Sequence, residues 1–290
     1  MNFYIAKILF RAGILKRIKS SVPIKLNGET MSIPLINGMG YDNLHISEIW
    51  MCELLKKILP YKPGVFIDVG VNVGQTLMKL RVVDSSKEYI GFEPNPRCVY
   101  YSEAVIKENN FKNCKLIPVG LLDKDTVLEL NLYSFTDTDQ EASLIPGFRP
   151  DSRVYSKIYV PVFRFETLSE QLNIGEIGVI KIDVEGAELE VLQSLQNTIR
   201  EKRPIVLMEI LPCYNNENTQ RLNRQLQLES ILKSSGYRIV RIIKSKDGNS
   251  VESFHELKSI GVHSNRDWCE YILIPDGLVI DTINISAENL

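Results

Sequence analysis

The amino-acid sequence predicts a doubly wound α/β protein, in which a mostly parallel β-sheet carries helices on both faces. From Val65 onward, short and almost wholly apolar runs alternate with segments in which apolar residues recur every three or four positions. Runs without a polar side are typical of strands buried on both faces, and the strand, helix, strand order is typical of parallel sheets. The length of 290 residues and the hydrophobic content of 44% suit one large domain with an appendage.

The elements of this predicted sheet follow one another in a regular order. Seven runs are expected to be strands: VFIDV, YIGFE, KLIPV, VIKIDV, PIVLMEI, YRIVRII and EYILI. Helices are predicted over about 75–83 and about 96–109, then in a segment with Val191, Leu192, Leu195 and Ile199, and in one with Leu222, Leu226 and Ile231. No clear helix separates the last two strands, so the final strand is expected to run antiparallel.

The first 60 residues are expected to form an extension ahead of a domain of residues 61–290. Five apolar residues at helical spacing, with cations between them, predict an amphipathic helix: Ile5, Ile8, Leu9, Ala12 and Leu15. The turn signals Asn27-Gly28 and Asn37-Gly38 predict a hairpin within 22–44. A helix that leads into the first strand is predicted by an apolar face of Met51, Leu54, Leu55 and Ile58.

The charge of the chain is unevenly distributed. The first acid is Glu29, so the first 20 residues hold no acid, and they hold five cations: Lys7, Arg11, Lys16, Arg17 and Lys19. The remaining residues hold 29 basic and 36 acidic side chains, a net charge of −7. An acidic body is a poor partner for nucleic acid, because binding phosphates needs a basic face. The sequence therefore predicts no nucleic-acid partner.

The basic start of the chain has two interpretations. The favoured one is a helical cap that packs on the chain's own domain, and the other is an interfacial helix, residues 1–20, that contacts an anionic membrane surface. Lys7 and Arg11 interrupt the apolar run, which argues against a membrane-spanning segment and a signal peptide. Five scattered cysteines without a CxxC pair argue against a disulfide framework and a zinc site. The expected location is the cytoplasm, at the inner membrane surface if the second interpretation holds.

The first sign of chemistry is the turn Asp68-Val-Gly70-Val-Asn72-Val-Gly74, which follows the first predicted strand and opens a helix. Small residues there let the backbone turn tightly and approach a ligand, and the N-terminus of the helix receives the ligand's negative end. Asn72 departs from the dinucleotide fingerprint, because its side chain occupies a position where a pyrophosphate comes close. Asp68, at the strand end, offers a carboxylate to a cation, which suits an amino group.

The second predicted strand ends in Gly91-Phe92-Glu93-Pro94-Asn95. An acid at this place can accept hydrogen bonds from both hydroxyls of a ribose. Asp68 for an amino group and Glu93 for a ribose together describe a ligand that joins an adenosine to an amino acid, and S-adenosylmethionine is such a ligand. Each motif alone has a plainer interpretation, as a tight turn and as a solvated acid at a strand end.

Three motifs in this order, FIDVGVNVGQT, GFEPNP and IKIDVEGAELEVL, resemble the FkbM family of S-adenosylmethionine-dependent methyltransferases. The resemblance covers roughly 60–210 and extends more loosely to 275, and IKIDVEGAE is its specific part. It implies the Rossmann-like class I methyltransferase fold with a seven-stranded sheet. It also implies a cofactor at the carboxyl ends of the first strands and a hydroxyl acceptor on a sugar, glycolipid or polyketide.

The resemblance further implies which residues contact the cofactor. The methionine part would be held by Asp68, Gly70, Asn72 and Gly74, the ribose by Glu93, and the adenine would lie by Val119, Gly120 and Leu121. Four further residues complete the expected contact set: Gln75, Pro94, Asn95 and Asp183. The departure from the family pattern is Asn72, where many methyltransferases have glycine.

The fourth predicted strand carries charges that a central strand does not usually bear. Period-two alternation in VIKIDVEG places Lys181, Asp183 and Glu185 on one side. Buried charge is costly unless it is paired, so Lys181 is expected to pair with an acid such as Asp183 or Glu209. Such a pair is either structural or, at strand ends that meet a ligand, part of a catalytic site.

Methyl transfer to a hydroxyl needs aligned reactants, and a base within hydrogen-bond reach of the hydroxyl assists it. Asp183 and Glu209, expected at neighbouring strand ends, are the candidate catalytic residues. A divalent metal held by either acid is an alternative way to lower the pKa of the hydroxyl, but no metal ligands are assigned.

A polar and aromatic insertion over about 134–160 is expected to shape the acceptor pocket. Its residues Arg149, Arg153, Tyr155 and Tyr159 suit a sugar or phosphosugar, although a solvated loop is an equal interpretation. The leading hypothesis is an O-methyltransferase for a sugar, glycan or glycosylated small molecule. The alternatives are a methyltransferase for a nitrogen, protein or lipid acceptor, and a cofactor-binding protein without turnover.

Overall fold

A computed structural model describes residues 3–287, except residues 12, 18, 135, 137 and 150. The α-helices in these residues are α1 (Phe3–Arg11), α2 (Trp50–Ile58), α3 (Gln75–Val83), α4 (Pro96–Glu108), α5 (Phe165–Gln171), α6 (Glu188–Ser194), α7 (Gln196–Lys202) and α8 (Thr219–Ser234). The strands are β1 (Lys19–Leu26), β2 (Glu29–Ile36), β3 (Val65–Val69), β4 (Tyr89–Phe92), β5 (Cys114–Ile117), β6 (Gly120–Leu121), β7 (Thr126–Leu132), β8 (Ser156–Phe163), β9 (Ile177–Ile182), β10 (Ile205–Glu209), β11 (Tyr237–Lys244), β12 (Val251–Leu257), β13 (Glu270–Pro275) and β14 (Ile285–Ala287).

Nine of the described strands form the central sheet, in the order β14-β12-β11-β13-β10-β9-β3-β4-β5. The strands from β10 to β5 are parallel, and β13 runs antiparallel between β10 and β11. The predicted α/β class is confirmed, and so is the antiparallel direction of EYILI, which is β13. The predicted number of seven strands is wrong for the described chain, because β12 and β14 extend the sheet beyond β11. β12 was not predicted because its sequence, VESFHEL, is not an apolar run, in keeping with a strand that is only partly buried.

The order of the parallel strands reverses beside β3. The chain moves outward from β3 to β4 and β5 and then returns to β9, on the other side of β3. In an open α/β sheet, such a switch point leaves a crevice for a ligand at the carboxyl ends of the strands. Gly70 follows β3 here with φ of 91°, and a Cβ atom on it would collide with the carbonyl oxygen of Asp183. Glycine is therefore needed where the chain segments after β3 and β9 come together.

Helices cover both faces of the sheet. On one face, Ile67, Val69 and Ile180 pack with apolar residues of α5, α6, α7 and α8. On the other face, Phe66 and Val179 pack with residues of α2 and α3. The helix predicted ahead of the first strand is thus α2, and its apolar face is buried against the sheet.

The predicted hairpin is confirmed as β1 and β2, joined at Asn27 and Gly28, which both have positive φ. It forms a separate two-stranded sheet, and its residues Val22, Ile33 and Leu35 pack against α4. Helix α4 itself starts with Pro96 after the capping side chain of Asn95, a common helix start. The hairpin therefore rests on the same helix that follows Glu93.

Only one side of helix α1 packs against this hairpin. Ala6 and Leu15 are buried and Leu9 packs against them, whereas Ile5 and Ile8 are 48% and 65% exposed. The apolar face predicted from the spacing is therefore divided between the protein and the solvent. Met1, Asn2, Ala12 and Ile18 lie outside the described residues. None of the helices in the described ranges has the length and hydrophobicity that a membrane span requires.

The predicted insertion joins two strands of a second, three-stranded sheet. β7 and β8 pair antiparallel, and β6 pairs with β8. The expected end of the insertion at 160 is wrong, because β8 already begins at Ser156. Leu144 in the connection packs with Leu130 and Val160 of the two strands, so a small apolar core holds the connection in place.

Candidate active site

A cavity of about 250 Å³ lies at the carboxyl ends of β3, β4, β9 and β10. Nine of the predicted site residues line it: Gly70, Asn72, Gln75, Glu93, Pro94, Gly120, Leu121, Asp183 and Glu209. Four others do not line the cavity. They are buried, and each is next in the sequence to a residue that does line it: Asp68, Gly74, Asn95 and Val119. The cavity wall also includes Glu48, Lys181 and Glu185, together with Asp139 and Gln140 of the insertion.

Asn72 is the centre of the glycine-rich turn. Its φ of 46° is left-handed, a conformation that asparagine adopts more readily than most residues. Its backbone N–H donates to Glu93 Oε2 at 2.8 Å, and its side-chain amide donates to the carbonyl of Asp139 at 3.3 Å. The departure from glycine at this position therefore costs little, and it links the turn to the insertion.

The N-terminal extension supports the same turn through Asn43. This buried side chain donates to the carbonyl of Val73 at 2.8 Å and accepts from the amide of Gln75 at 3.1 Å. Helix α3 starts after Gly74, and no side chain in the described residues caps its N-terminus. The first N–H groups of α3 can therefore bind an anionic group of a ligand. Asn43 gave no signal in the sequence, because it is one polar residue in a loop far from the motif.

Both oxygens of Glu93 are hydrogen-bonded to backbone. Oε1 accepts from the N–H of Asn95 at 2.7 Å, and Oε2 accepts from that of Asn72 at 2.8 Å. Burial raises the pKa of the Glu93 carboxyl to about 7, although both N–H groups oppose the shift. Each carboxylate oxygen has a second lone pair, so each can accept one more hydrogen bond from a ligand.

Asp68 lies behind the cavity wall and is wholly buried. The hydroxyl of Tyr89 donates to its Oδ2 at 2.7 Å, and Oδ1 has no hydrogen-bond partner within the described chain. Burial raises the pKa of Asp68 to about 6, although the charge of Lys181, its neighbour across the sheet, opposes the shift. Asp68 is thus a buried acceptor that suits a cationic partner.

The predicted pairing of Lys181 with an acid is confirmed. Its Nζ lies 2.8 Å from Asp183 Oδ2. Burial alone would lower the pKa of Lys181, but the carboxylates of Asp183 and Asp68 outweigh it and raise that pKa. The strand ends at Ile182, so Asp183 and Glu185 lie in the turn that follows and the predicted alternation does not reach them. Glu185 instead has a left-handed φ of 51°.

Glu209 is the last residue of β10 and faces Glu270 of β13 across the sheet. Its side chain is hydrogen-bonded to that of Asp183. Burial, followed by the charges of Asp183 and Glu270, raises the pKa of Glu209 well above neutral. The Glu209 carboxyl is therefore protonated at neutral pH, and it can donate a hydrogen bond to Asp183.

A second ion pair, which the sequence analysis did not predict, borders the cavity. Glu48 Oε2 lies 2.9 Å from Nζ of Lys79, whose side chain is almost completely buried. Burial opposes ionisation of Glu48, but the charge of Lys79 and then that of Lys181 hold the pKa of Glu48 well below its usual range. A lone acid in a loop has no pattern that would have identified it.

The insertion is attached to the turn after β9. Arg149 Nη2 lies 2.7 Å from Glu185 Oε2, and the hydroxyl of Ser143 donates to the carbonyl of Glu185 at 2.7 Å. Tyr155 and Tyr159 are 61% and 74% exposed, and with Arg153 they lie away from the cavity wall. The four insertion residues selected for the acceptor therefore do not line this cavity. Burial, together with the charge of Asp183, raises the pKa of Glu185 to about 7.

No group of three or more His, Cys, Asp or Glu side chains within the described ranges has the arrangement of a metal site.

The parallel sheet, its switch point and a cavity formed by a glycine-rich turn and a strand-end acid define a Rossmann-like protein of the methyltransferase class. The model of the family described as "Methyltransferase FkbM domain" matches residues 68–239. This match spans more than half of the chain, and the chain belongs to that family. The family predicted from the sequence is confirmed.

Individual relatives are more distant. "Methyltransferase 1" of Beauveria bassiana (strain ARSEF 2860) is 25% identical over 155 residues, which are 48% of this chain and 62% of the relative. The solved FkbM methyltransferase of Methylobacillus flagellatus KT is 15% identical with a TM-score of 0.42, over 73% of this chain and 43% of that chain. Fibrillarin of Aeropyrum pernix, solved with natively bound S-adenosylmethionine, is 13% identical with a TM-score of 0.45, over 89% of this chain and 82% of that one. The chain thus spans less than two thirds of the length of the first two relatives.

Proposed function

We propose that this chain transfers the methyl group of S-adenosylmethionine to a hydroxyl group of a sugar, glycan or glycosylated small molecule. The observation that carries the proposal is Asp183, a carboxylate in an ion pair with Lys181, in the same cavity as the glycine-rich turn and Glu93. Membership in the family supports methyl transfer. A carboxylate beside the expected cofactor supports an acceptor that must lose a proton, as a hydroxyl does.

The residues of the cavity suit S-adenosylmethionine. Glu93 retains one acceptor position on each oxygen for the two ribose hydroxyls, and the first turn of α3 offers N–H groups to the carboxylate of the methionine part. Asp68 lies behind the cavity wall, next to the lining residue Val69, and its buried negative charge favours the ammonium group there. Gly120 lines the cavity beside Pro94, and a Cβ atom there would lie 3.0 Å from Leu144, so glycine lets the insertion pack closely against the proposed adenine position. When bound, the cofactor supplies an electrophilic methyl group.

Asp183 and Glu209 have different roles because they differ in protonation. Asp183, oriented by Lys181, accepts the proton of the acceptor hydroxyl. Glu209 is protonated, and it donates a hydrogen bond that orients Asp183 rather than acting as a second base. This assigns the catalytic base to one of the two acids that the sequence proposed. The Asp183 carboxylate must face the hydroxyl at hydrogen-bond distance for this role.

The proposed activity is tested with the purified full chain, S-adenosylmethionine and a panel of sugars, nucleotide sugars and glycans, with mass spectrometry of the products. Extracts of cells with and without the chain provide acceptors outside the panel. The expected product carries one additional methyl group on a sugar oxygen. A product methylated on nitrogen or on protein would contradict the hydroxyl acceptor. Tight binding of S-adenosylhomocysteine without any product from extract or panel would favour a binding protein.

We also propose that α1 rests on an anionic membrane surface, which places the protein in the cytoplasm at the inner face of the membrane. Fifteen large hydrophobic residues are exposed in the described chain, and five of them lie within 4–14: Tyr4, Ile5, Ile8, Phe10 and Ile14. The same segment carries Lys7 and Arg11 and precedes every acid in the chain. A concentrated apolar surface among cations is typical of helices that bind anionic lipid.

The membrane proposal is tested by sedimentation with liposomes that contain phosphatidylglycerol. The double variant Ile8→Ser and Ile14→Ser removes two exposed apolar side chains, and it should reduce liposome binding by at least about tenfold, because each buried CH₂ contributes about 0.8 kcal/mol. Val279→Ser, at a site that is 69% exposed elsewhere on the protein, is the matched control and should bind as the wild type does. Equal binding by both variants would contradict the proposal.

A further inference from the structure

We propose that Arg221, Arg266 and Tyr214 form a site that binds a phosphate or carboxylate group of the methyl acceptor. The inference rests on the proposed function and makes it more specific, since it predicts an acidic sugar or a sugar phosphate as the acceptor. Tyr214 lies in the loop after β10, Arg221 lies in the first turn of α8, and Arg266 lies shortly before β13.

The two arginines meet at Tyr214. Arg266 Nε donates to the tyrosine hydroxyl at 3.2 Å, and the guanidinium carbon of Arg221 lies 5.8 Å from the centre of the tyrosine ring. The loops that carry these residues are joined by a hydrogen bond of 3.1 Å from the N–H of His263 to the carbonyl of Cys213. Tyr214 itself is 39% exposed, so a ligand can reach this cluster from solvent.

Neither guanidinium is neutralised within the described part of the chain. Arg221 donates only to the carbonyl oxygens of Pro212 and Phe148, and neither it nor Arg266 forms an ion pair with a described carboxylate. By contrast, Arg149 and Arg224 each bind a glutamate, at 2.7 Å and 2.6 Å. The guanidinium groups at Tyr214 therefore retain N–H donors, in the planar arrangement that matches a phosphate or a carboxylate.

None of the three residues lines the cavity itself, and Phe148 connects the cluster to the turn after β9. Arg221 stacks on the ring of Phe148 at 4.6 Å, and that ring covers Gly186, whose neighbours Glu185 and Ala187 line the cavity. An acceptor that extends from Asp183 toward solvent on this side would place its far end at the arginines. The sequence predicts arginines and tyrosines at the acceptor, but within the insertion, whereas these three residues lie outside it.

The test compares glucose 1-phosphate, glucuronate and glucose as probes for the full chain, by calorimetry with and without S-adenosylhomocysteine. The two acidic sugars should each bind the wild type at least about tenfold more tightly than glucose, because each forms charge-assisted hydrogen bonds. The double variant Arg221→Ala and Arg266→Ala should lose that preference. Arg200→Ala, an exposed arginine near the end of α7, is the matched control and should keep it.

Each outcome decides the inference. Equal affinity of the wild type for the three sugars, or an unchanged preference in the double variant, would overturn it. If Arg221→Ala reduces the folded fraction seen by circular dichroism, the exposed Arg266→Ala variant alone decides. The probes are also measured without S-adenosylhomocysteine. Failure of the wild type to bind S-adenosylhomocysteine would therefore refute the proposed function without affecting this measurement.

Discussion

Glu93→Gln is the substitution that most directly tests the proposed cofactor site. The glutamate accepts one backbone hydrogen bond on each oxygen, from Asn95 and Asn72, and each oxygen retains one position for a ribose hydroxyl. Glutamine has the same size but only one acceptor oxygen. Its amide nitrogen would face a backbone N–H and could not accept from a ribose hydroxyl. The variant therefore loses one charge-assisted bond to the ligand and one buried bond within the protein.

The expected magnitudes follow from these contacts. Loss of a hydrogen bond to a charged group costs about 1.5–3 kcal/mol, which weakens the binding of S-adenosylhomocysteine by about 10- to 150-fold. The unpaired backbone N–H reduces the free energy of unfolding by about 1–3 kcal/mol. A counteracting effect appears above neutral pH. The raised pKa of Glu93, about 7, means that ionising this buried carboxyl costs stability there, and glutamine avoids this cost. The loss of stability should therefore be smaller at pH 8 than at pH 5.

The assay is calorimetric titration with S-adenosylhomocysteine, paired with thermal unfolding of the same samples. Glu88→Gln is the matched control, since Glu88 is an exposed acid just before the other end of β4, and it should bind as the wild type does. An affinity of Glu93→Gln within about twofold of the wild type, in a folded protein, would refute the assignment of Glu93 to the ribose.

Three further predictions concern the acids and the supporting loop. Asp183→Asn should lower turnover about 10²- to 10⁴-fold while S-adenosylhomocysteine still binds. Glu209→Gln, which resembles the protonated acid, should retain most of the wild-type turnover. If a methyl-transfer assay instead finds the larger loss in Glu209→Gln, the two roles must be exchanged. Affinity for S-adenosylhomocysteine should increase as the pH rises from about 5 to about 8, because the raised pKa values of Asp68, about 6, and Glu93, about 7, keep both carboxyls mostly protonated at the lower pH, without the charge that favours the ligand. The same shifts stabilise the unbound fold below about pH 4, and this contribution is lost as the pH rises to about 7; calorimetry and unfolding at several pH values measure both trends. Asn43→Ala should lower the melting temperature and weaken cofactor binding, because the carbonyl of Val73 loses a buried donor; unchanged binding would show that the turn holds its shape without the extension.

The sequence by itself determined the fold class and the outline of the cofactor site. Both depend on features that are local along the chain. The apolar runs of β3 and β9 have no polar side, which requires burial on both faces, and the turn from Asp68 to Gly74 with Glu93 needs only the order of strand, turn and helix to be placed. The pairing of Lys181 with an acid also followed locally, because a charge in a buried strand must have a partner.

The tertiary structure decided which side chains meet, because those contacts join residues that are far apart in sequence. Asn43 supports a turn 30 positions later, Glu48 pairs with Lys79, and the insertion contributes Gln140 to the cavity in place of the tyrosines that its composition suggested. The protonation states of the acids in the cavity also depend on the tertiary structure. Whether Glu209 is a base or a hydrogen-bond donor depends on its burial and on the charge of Asp183 beside it, and neither can be read from a residue's position along a strand.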